Sequence, residues 1–315
     1  MSPVNQAPKN LESITVIIEK VRRGTLGTDE IIDATRSLIA KCDGDIKAWK
    51  ALDWDQVEEQ YQELMSRPNW QILPLAAVPI AVKDVYDTAN FVTTYGSVIY
   101  QHHRPDSDAK LVAILRSLGA IVIGKTVTTE FAYWQAGPTV NPYDHGRTPG
   151  GSSSGSAAAV ATGMVPFALG SQTAASTIRP ASYCGIIGFK PSFGLLPVDG
   201  VKKLAPSLDT IGLFVRSIDD LIVVVNALLA GTGVNQPSFK SKLKPLPALV
   251  LSTLSGSWDS QVADACIAAV AECHSLANAN GCKSVGESEV VDFDKLTSDP
   301  ISLMALAAAQ CFSDE

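Results

Sequence analysis

The sequence predicts an α/β fold in which a largely buried β-sheet is flanked by helices and preceded by a helical N-terminal region. Hydrophobic residues make up 46% of the 315 residues and charged residues only 18%, a balance typical of a globular protein with a large interior. From residue 76 onward, short apolar runs alternate with amphipathic segments, as in βαβ units. Before residue 70 the apolar residues recur at helical spacing instead.

Two amphipathic helices are predicted in the N-terminal region. The first begins at Thr28, the expected N-cap, and its apolar face consists of Ile31, Ala34, Leu38 and Ile39. The second begins at Asp53, which forms a capping-box pattern with Gln56, and ends near Pro68. Its apolar stripe consists of Trp54, Val57, Tyr61, Leu64 and Met65. Stripes of this kind indicate packing against a core.

The middle of the chain predicts alternating strands and helices. Residues 76–83 and 120–126 are short, apolar runs rich in β-branched residues, which is typical of buried strands. Residues 106–119 predict an amphipathic helix that stops at Gly119. Residues 188–197 have the composition of a loop, and residues 217–231 predict another helix.

The last part of the chain continues the same pattern. Residues 249–254 predict a strand, residues 259–281 a helix, and residues 301–315 an apolar helix without a Gly or Pro stop. We therefore expect the chain to be incomplete at its C-terminal end. The sequence divides into a helical region, a core and a continuation of the same α/β domain, at residues 1–70, 71–235 and 249–315.

Charge and composition argue against several classes of partner. The formal net charge is −7 and the isoelectric point is near 5.2, and no basic run is interleaved with aromatic residues. A nucleic-acid or anionic-membrane surface therefore has no electrostatic support. No charged residue lies between Arg147 and Arg179, but this segment is rich in small residues and contains Pro166. A spanning helix needs about 20 predominantly apolar residues, so the segment predicts a buried region of the protein.

Cysteine and histidine usage points to a reduced, metal-free protein. The six cysteines lack CxxC spacing, and with only four histidines no metal-ligand set follows from the pattern. The N-terminus lacks the basic and then apolar order of a signal peptide. We therefore expect a cytoplasmic protein with free thiols.

One short motif has the letters of a phosphate-binding loop. Residues 119–126, GAIVIGKT, match the pattern GxxxxGK[ST]. That function requires the middle residues to form a loop that wraps phosphate and a helix that starts at the lysine. The middle residues are instead an apolar, mostly β-branched run. The context predicts a strand and argues against nucleotide binding.

A Gly/Ser-rich stretch and a lysine raise the question of nucleophilic chemistry. The stretch TPGGSSSGSAAA at residues 148–159 runs directly into an apolar segment, so a tight turn before a buried element is expected in place of a flexible linker. Lys83 ends an apolar run, where it is either paired with Asp84 or held neutral as a base. Ser176 follows three small residues that leave room for a substrate carbonyl and for amide donors to an oxyanion, namely Thr173, Ala174 and Ala175.

Taken together, four segments resemble the amidase signature family. They are PIAVKD around Lys83, GKTVTTEFA from Gly124, PGGSSSGSAAAVA from Pro149, and GSQTAASTIRPASYCGIIGFKPSFG from Gly170. Their order and spacing agree with the family over roughly residues 70 to 230. The resemblance implies a mixed, largely buried sheet with helices on both faces. It also implies amide hydrolysis without a metal or an organic cofactor.

The resemblance also implies roles for individual residues. The nucleophile of the family falls on Ser176, its bridging serine on Ser152, where a cis peptide bond precedes the serine, and its base on Lys83. Ser153 is implied to support the network by hydrogen bonding. The amides implied to hold the oxyanion belong to Thr173, Ala174, Ala175 and Ser176.

The implied relay needs a neutral lysine. A free lysine has a pKa of about 10.4, so its deprotonation at pH 7 costs about 4–5 kcal/mol unless the site lowers the pKa. Burial in charge-free surroundings can lower it by several units. Lys83 could then draw a proton from Ser176 through Ser152.

The chain also departs from the family pattern. Gln172 stands where the family commonly has Asp, Ala174 and Ala175 stand for two glycines, and Arg179 lies one place later than the usual arginine. Family members are usually much longer. Three hypotheses stay open: a hydrolase of small-molecule amides, a subunit of a glutamine-dependent amidotransferase, and an inactive member with a binding or structural role. Homo-oligomers are frequent in the family, so the resemblance allows one here.

Overall fold

The computed structural model divides the chain into two compact units, one comprising Met1–Asn235 with Ala307–Glu315 and the other Gln236–Leu306. The residues that the structure describes are 11–234, 249–250, 268, 271–272, 275, 284–285 and 293–313. Of the helix predicted over 259–281, the structure describes residues 268, 271, 272 and 275, and these are helical. The rest of that prediction, and most of the strand predicted over 249–254, lie outside this described part. Leu249–Val250 form a short strand that pairs in parallel with Ser284–Val285.

The first unit is built around a six-stranded mixed sheet. Its strands are β1 (Trp49–Leu52), β2 (Pro79–Lys83), β3 (Ile121–Thr126), β4 (Phe167–Gln172), β5 (Ile187–Phe189) and β6 (Thr210–Val215). They lie in the order β1-β3-β2-β4-β6-β5. The central strand β2 is parallel to β3 and β4, whereas β1, β5 and β6 pair with their neighbours antiparallel. The predicted mixed, buried sheet is confirmed, and every residue of β2, β3 and β6 is buried.

Helices flank this sheet. They are α1 (Ile14–Arg22), α2 (Thr28–Ile46), α3 (Trp54–Ser66), α4 (Lys110–Ser117), α5 (Ser154–Ala161), α6 (Ile178–Tyr183) and α7 (Ile218–Gly231). A further helix, α8 (Phe293–Cys311), lies near the end of the described part of the chain. The helices predicted at residues 106–119 and 217–231 correspond to α4 and α7. Helix α4 stops where predicted, because Gly119 takes the left-handed conformation with φ +98°, which glycine adopts without steric cost.

The start and the buried face of α2 differ from the prediction. Its N-cap is Gly27, whose amide donates to the Glu30 carboxylate at 2.8 Å, and Thr28 is already helical. The hydroxyl of Thr28 instead donates to the sulfur of Met65 on α3. Ala34 is exposed and Leu38 half-buried. The helix is rotated so that its buried face consists of Thr28, Ile31, Ile32, Thr35, Ile39 and Ile46.

Helix α3 begins as predicted. The Asp53 side chain accepts a hydrogen bond from the Gln56 amide at 3.2 Å. The second half of the capping box is not formed, because the Gln56 side chain donates to Glu59. Val57, Tyr61 and Leu64 are buried, so most of the predicted stripe packs on the core.

Four strands, β1, β4, β5 and β6, lie where no strand was predicted. Strand β1 interrupts the N-terminal helices and pairs with β3 at the edge of the sheet. Its approach requires Gly124 on β3, because a Cβ there would lie 2.3 Å from the Ala51 oxygen. Strand β5 includes residues 188 and 189, which were predicted as loop. Strands of three or four residues are too short to show a periodic pattern, and only pairing with a neighbour creates them.

The charge-free segment between Arg147 and Arg179 passes through the core, as predicted. Its first apolar part forms α5, in which residues 154–160 are all buried, and its second part forms the interior strand β4. None of the helices in the described part of the chain is long and apolar enough to cross a membrane. The segment therefore brings two serine-containing loops to the buried end of β2.

Candidate functional site

Lys83 is the last residue of β2 and is fully buried. Its Nζ is 2.7 Å from Ser152 Oγ and 2.9 Å from Ser171 Oγ, and it is hydrogen-bonded to both hydroxyls. The alternative that Lys83 pairs with Asp84 is not realised. The Asp84 carboxylate accepts from Thr94 and faces Lys125, whose Nζ lies 3.4 Å away.

The surroundings of Lys83 favour its neutral form. Burial lowers the pKa of Lys83 to about 7, against a smaller opposing effect of the negative charge of Asp209. Removal of an ammonium from water is costly unless a counter-ion compensates it, and the two contacts of Lys83 are with uncharged hydroxyls. Near neutral pH a large fraction of this amine is therefore unprotonated and able to accept a proton.

Ser152 and Ser153 lie in the loop that leads into α5. The peptide bond between Gly151 and Ser152 is cis, as the resemblance implied. The carbonyl of Ser152 accepts from the Thr129 amide at 3.2 Å. The hydroxyl of Ser153 bonds the backbone of Ser171 twice, donating to its carbonyl at 3.2 Å and accepting from its amide at 3.3 Å. Ser153 thus attaches this loop to β4.

Ser176 lies just before α6 and is buried. Its carbonyl accepts from the Ser153 amide at 3.4 Å, so the loop that carries Ser176 meets the loop that carries Ser152. Of the other residues in the turn, Thr173 and Ala175 are half-buried and Ala174 is exposed. The structure brings the predicted site residues into one neighbourhood from three separate parts of the chain.

Gln172 and Asp209 hold the two ends of the turn that contains Ser176. Gln172 Oε1 accepts from the amides of Thr177 and Ile178, both at 3.0 Å. Asp209 Oδ1 accepts from the Thr173 hydroxyl at 2.6 Å. The turn is therefore anchored by side chains on either side of the Ala174–Ala175 pair.

Arg179 attaches the beginning of α6 to the loop before α5. Its Nε and Nη2 both donate to the carbonyl of Gly151, at 3.1 and 2.8 Å. The two backbones approach closely at Gly150, where φ is +77° and a Cβ would lie 2.8 Å from the Cα of Pro180. Only glycine fits this position. The arginine one place later than in the family pattern thus bonds a carbonyl next to Ser152.

Sequence patterns missed two residues of the site. Ser171 on β4 contacts Lys83. No strand was predicted there, and a predicted strand would have indicated Ser171 through the alternation of its side chains. Asp209 lies 36 positions after Thr173, its partner. No local pattern connects residues so far apart.

The GKT segment is a strand, as predicted, and not a phosphate-binding loop. Residues Ile121–Thr126 form β3, and all six are buried. The Nζ of Lys125 donates to the Tyr86 carbonyl at 2.5 Å and to the Thr93 hydroxyl at 2.6 Å, and it faces Asp84. These contacts engage the amine inside the protein.

The described part of the chain offers no cluster of three or more His, Cys, Asp or Glu side chains placed to hold a metal ion. Within the same part, Cys42, Cys184 and Cys311 carry free thiols. The other three cysteines lie outside the described residues. The polar groups that the site presents are the hydroxyls of its serines, the Lys83 amine and backbone amides.

The fold is a mixed β-sheet flanked by helices, and its site contains a buried lysine that is hydrogen-bonded to two serine hydroxyls, with a further, buried serine in the adjoining loop. These features define a class of α/β proteins with a serine–lysine site. The chain belongs to the amidase family, because the family model matches residues 30–298. The match covers most of the chain and every residue of the site.

Relatives in other organisms share substantial identity with the chain. A subunit of the glutamyl-tRNA(Gln) amidotransferase of Legionella pneumophila (strain Corby) is 41% identical over 192 residues, which cover 58% of this chain and 40% of the relative. The corresponding subunit from Thermus thermophilus is 38% identical over 248 residues, which cover 75% of this chain and 51% of the relative. The chain thus spans about half or less of the length of these relatives.

Solved structures share the fold. A peptide amidase from Stenotrophomonas maltophilia is 25% identical, with a TM-score of 0.80 over 98% of this chain and 69% of that protein. A protein from a vestigial complex linked to the origins of an s-triazine catabolic enzyme is 35% identical, with a TM-score of 0.65 over 69% of this chain and 50% of that protein. Amide chemistry is therefore supported at the level of the family.

Proposed function

We propose that the chain carries an amide hydrolase site in which Ser176 is the nucleophile, Ser152 the proton relay and Lys83 the base. The observation that carries the proposal is the 2.7 Å contact between Lys83 Nζ and Ser152 Oγ in a buried site. A serine hydroxyl is a weak nucleophile until a base accepts its proton. The lowered pKa of Lys83, about 7, provides such a base at neutral pH.

The reaction proceeds through an acyl-enzyme. Ser176 Oγ attacks the amide carbon while its proton passes to Ser152, whose own proton passes to Lys83. The carbonyl oxygen becomes an oxyanion, for which the donors are backbone amides of the turn, at Thr173, Ala174, Ala175 and Ser176. The same relay in reverse protonates the departing nitrogen, which an amide requires because an amide anion is a poor leaving group. Water then attacks the acyl-enzyme, releases the carboxylate and restores Ser176.

We infer that the substrate is a linear, non-peptide carboxamide of a small molecule, which yields a carboxylate and ammonia or an amine. The buried position of Ser176 supports a small acyl group. Neither a metal nor an organic cofactor is needed for these steps. We further infer a cytoplasmic protein without nucleic-acid or membrane partners. A homo-oligomer is the oligomeric state that we infer from the family resemblance, and it can be tested in solution.

A second candidate function is that of an amidotransferase subunit. It is favoured by the 41% identity with a subunit of a glutamyl-tRNA(Gln) amidotransferase. Such a protein would use the same serines and lysine on glutamine and pass the ammonia to a partner. Glutaminase activity that appears only when the other subunits are added would favour this candidate over an independent hydrolase. The third hypothesis, an inactive member with a binding or structural role, predicts no activity in either case.

The test is covalent labelling by a serine-directed fluorophosphonate, followed by a screen of simple amides with ammonia detection. We expect labelling of the wild type at Ser176 and its loss in Ser176→Ala, with a fall in amide turnover of about 10³-fold or more. Ser154→Ala is the matched control, since the Ser154 hydroxyl donates to the Val127 carbonyl at 3.3 Å, away from the relay, and we expect it to label normally. Equal labelling of wild type and Ser176→Ala would disprove the assignment, and absence of labelling would favour the inactive alternative.

A further inference from the structure

We propose that Asp209 is a positioning residue of this site, which holds the turn leading to Ser176 against a neighbouring loop. The inference rests on the proposed function of Ser176 and Lys83. Asp209 itself is not placed to contact a substrate in this scheme. It acts through Thr173 on one side and through Lys83 on the other.

The carboxylate of Asp209 connects two loops. Its Oδ1 accepts from the Thr173 hydroxyl at 2.6 Å, and its Oδ2 accepts from the amides of Leu204 and Ala205 at 2.9 and 3.0 Å. Asp209 comes directly before β6, where Thr210 pairs with Gln172 at the end of β4. The carboxylate therefore ties the first residue of the turn to the backbone of a neighbouring loop.

This connection matters because the turn supplies the amides proposed to hold the oxyanion. Donors in such a site stabilise the transition state only when they are already aimed at the developing charge. Thr173 opens the turn, and a hydrogen bond between its hydroxyl and an ionised carboxylate is stronger than one between neutral groups. Asp209 thus limits the freedom of the backbone from Thr173 to Ser176.

The second effect of Asp209 is electrostatic. The elements around Lys83 present few other charges: α5, β4 and β6 have no charged residue. Helix α2 also packs against β2, but its charged side chains are exposed except for Asp43, which is half-buried and accepts from the amides of Ala48 and Trp49. On β3 the charged residue is Lys125, which faces Asp84, the residue after Lys83. Arg179 on α6 donates to the carbonyl of Gly151. The negative charge of Asp209 raises the pKa of Lys83 and so opposes the larger effect of burial.

The two roles predict different responses to substitution. Asp209→Asn keeps a side chain of the same shape that can still bond both loops, but it removes the charge. Thr173→Val keeps the charge of Asp209 but removes the hydroxyl that the carboxylate holds. A merely structural role for Asp209 would lower the reaction rate equally at every pH and would leave the midpoint of the pH profile unchanged.

The experiment measures the rate of fluorophosphonate labelling of the full chain between pH 5.5 and 9. For the wild type we expect a rate that rises with pH as Lys83 loses its proton. In Asp209→Asn the midpoint should fall by about 0.5–1 pH unit, because Lys83 then loses its proton more readily. In Thr173→Val the plateau rate should fall about five- to tenfold with the midpoint unchanged. The control Asp219→Asn changes an exposed carboxylate at the start of α7 and should alter neither.

Each part of the proposal has its own contrary result. An unchanged midpoint in Asp209→Asn would overturn the electrostatic role, and an unchanged plateau in Thr173→Val would overturn the positioning role. A second measurement, NMR titration of ¹³C-labelled lysines with Lys83→Met for assignment, compares the titration of Lys83 in wild type and Asp209→Asn without any reaction. A wild type that does not label at Ser176 would overturn the proposed function and the positioning role together, while the NMR titration would still decide the electrostatic role.

Discussion

Two buried lysines on neighbouring strands have different surroundings. Lys125 faces the carboxylate of Asp84 and donates to a carbonyl and a hydroxyl, whereas Lys83 contacts the hydroxyls of Ser152 and Ser171. Burial lowers the pKa of Lys125 to about 8 and that of Lys83 to about 7, and Asp84 opposes the effect at Lys125. The Asp84 counter-ion favours the charged form of Lys125. Lys83, which contacts hydroxyls, is available as a base.

The first prediction concerns Lys83 and stability. A lysine whose pKa is lower in the folded than in the unfolded protein destabilises the fold below the folded pKa, and the deficit decreases as the pH rises toward the unfolded value. Lys83→Met removes this deficit. At pH 6 we expect the variant to be more stable than the wild type by about 1–3 kcal/mol. Above pH 7 the advantage should decrease by about 1.4 kcal/mol per pH unit.

Urea denaturation at pH 6, 7, 8 and 9 measures this difference. The control is Lys203→Met, because Lys203 is exposed and its replacement should give a difference that is small at every pH. A difference between Lys83→Met and wild type that does not change with pH would contradict a lowered pKa for Lys83.

At the scale of elements, α5 is packed directly against strands of the sheet. Gly155, the second residue of this helix, has no room for a side chain, since a Cβ would lie 2.2 Å from the Ala48 oxygen and 2.5 Å from the Val127 nitrogen. The amide of Gly155 donates to the Val127 carbonyl at 3.0 Å. The close approach of backbone to backbone fixes the end of α5 that follows Ser152 and Ser153.

The second prediction compares two helical glycines. Gly155→Ala should destabilise the protein by about 3 kcal/mol or more, because the added methyl group overlaps backbone atoms that cannot move aside cheaply. Gly44→Ala on α2 is the matched control. Nothing lies within 4 Å of a Cβ at Gly44, so alanine should stabilise the helix by about 0.5–1 kcal/mol. Urea denaturation of both variants measures the difference, and equal effects would contradict the packing described for α5.

The third prediction concerns the ion pair between β3 and the end of β2. Lys125→Met leaves the carboxylate of Asp84 buried without its counter-ion, and we expect a loss of about 3–5 kcal/mol in the free energy of unfolding. The double variant Lys125→Met with Asp84→Asn removes both charges and should recover a substantial part of the loss. A double variant no more stable than Lys125→Met alone in urea denaturation would show that the charge of Asp84 is not the cause.

At the scale of the whole molecule, the environment of a motif decides its meaning. The letters of a phosphate-binding loop at residues 119–126 are present, yet the segment is a buried strand whose lysine is engaged inside the protein. A phosphate-binding loop would need free amides and a following helix. Neither condition holds for β3.

The fourth prediction follows from this environment. A ligand that binds the folded state raises the melting temperature by mass action. We therefore expect ATP or GTP at millimolar concentration to leave the melting temperature unchanged, as measured by differential scanning fluorimetry. A rise of several degrees that depends on nucleotide concentration would show that the protein binds nucleotide even though residues 121–126 form a buried strand.

Local patterns in the sequence were sufficient for the longer elements. Periodicity and caps predicted α3, α4 and α7, and apolar runs predicted β2 and β3. The same approach missed β1, β4, β5 and β6 and placed the N-cap of α2 one residue late. These failures share a cause: the pairing of strands and the choice of a cap depend on partners from other parts of the chain, such as β3 for β1 and Met65 for Thr28.

The sequence by itself determined the fold class, the family resemblance, and the choice of Lys83, Ser152, Ser153 and Ser176 as site residues, because each depends on residues that are close together in the chain. Only the tertiary structure decided that Asp84 faces Lys125 and not its neighbour Lys83, since successive residues of an extended chain point to opposite sides. It alone also revealed Ser171 beside Lys83 and Asp209 beside Thr173. Contacts between distant segments arise from the packing of elements, and no spacing within a single segment records them.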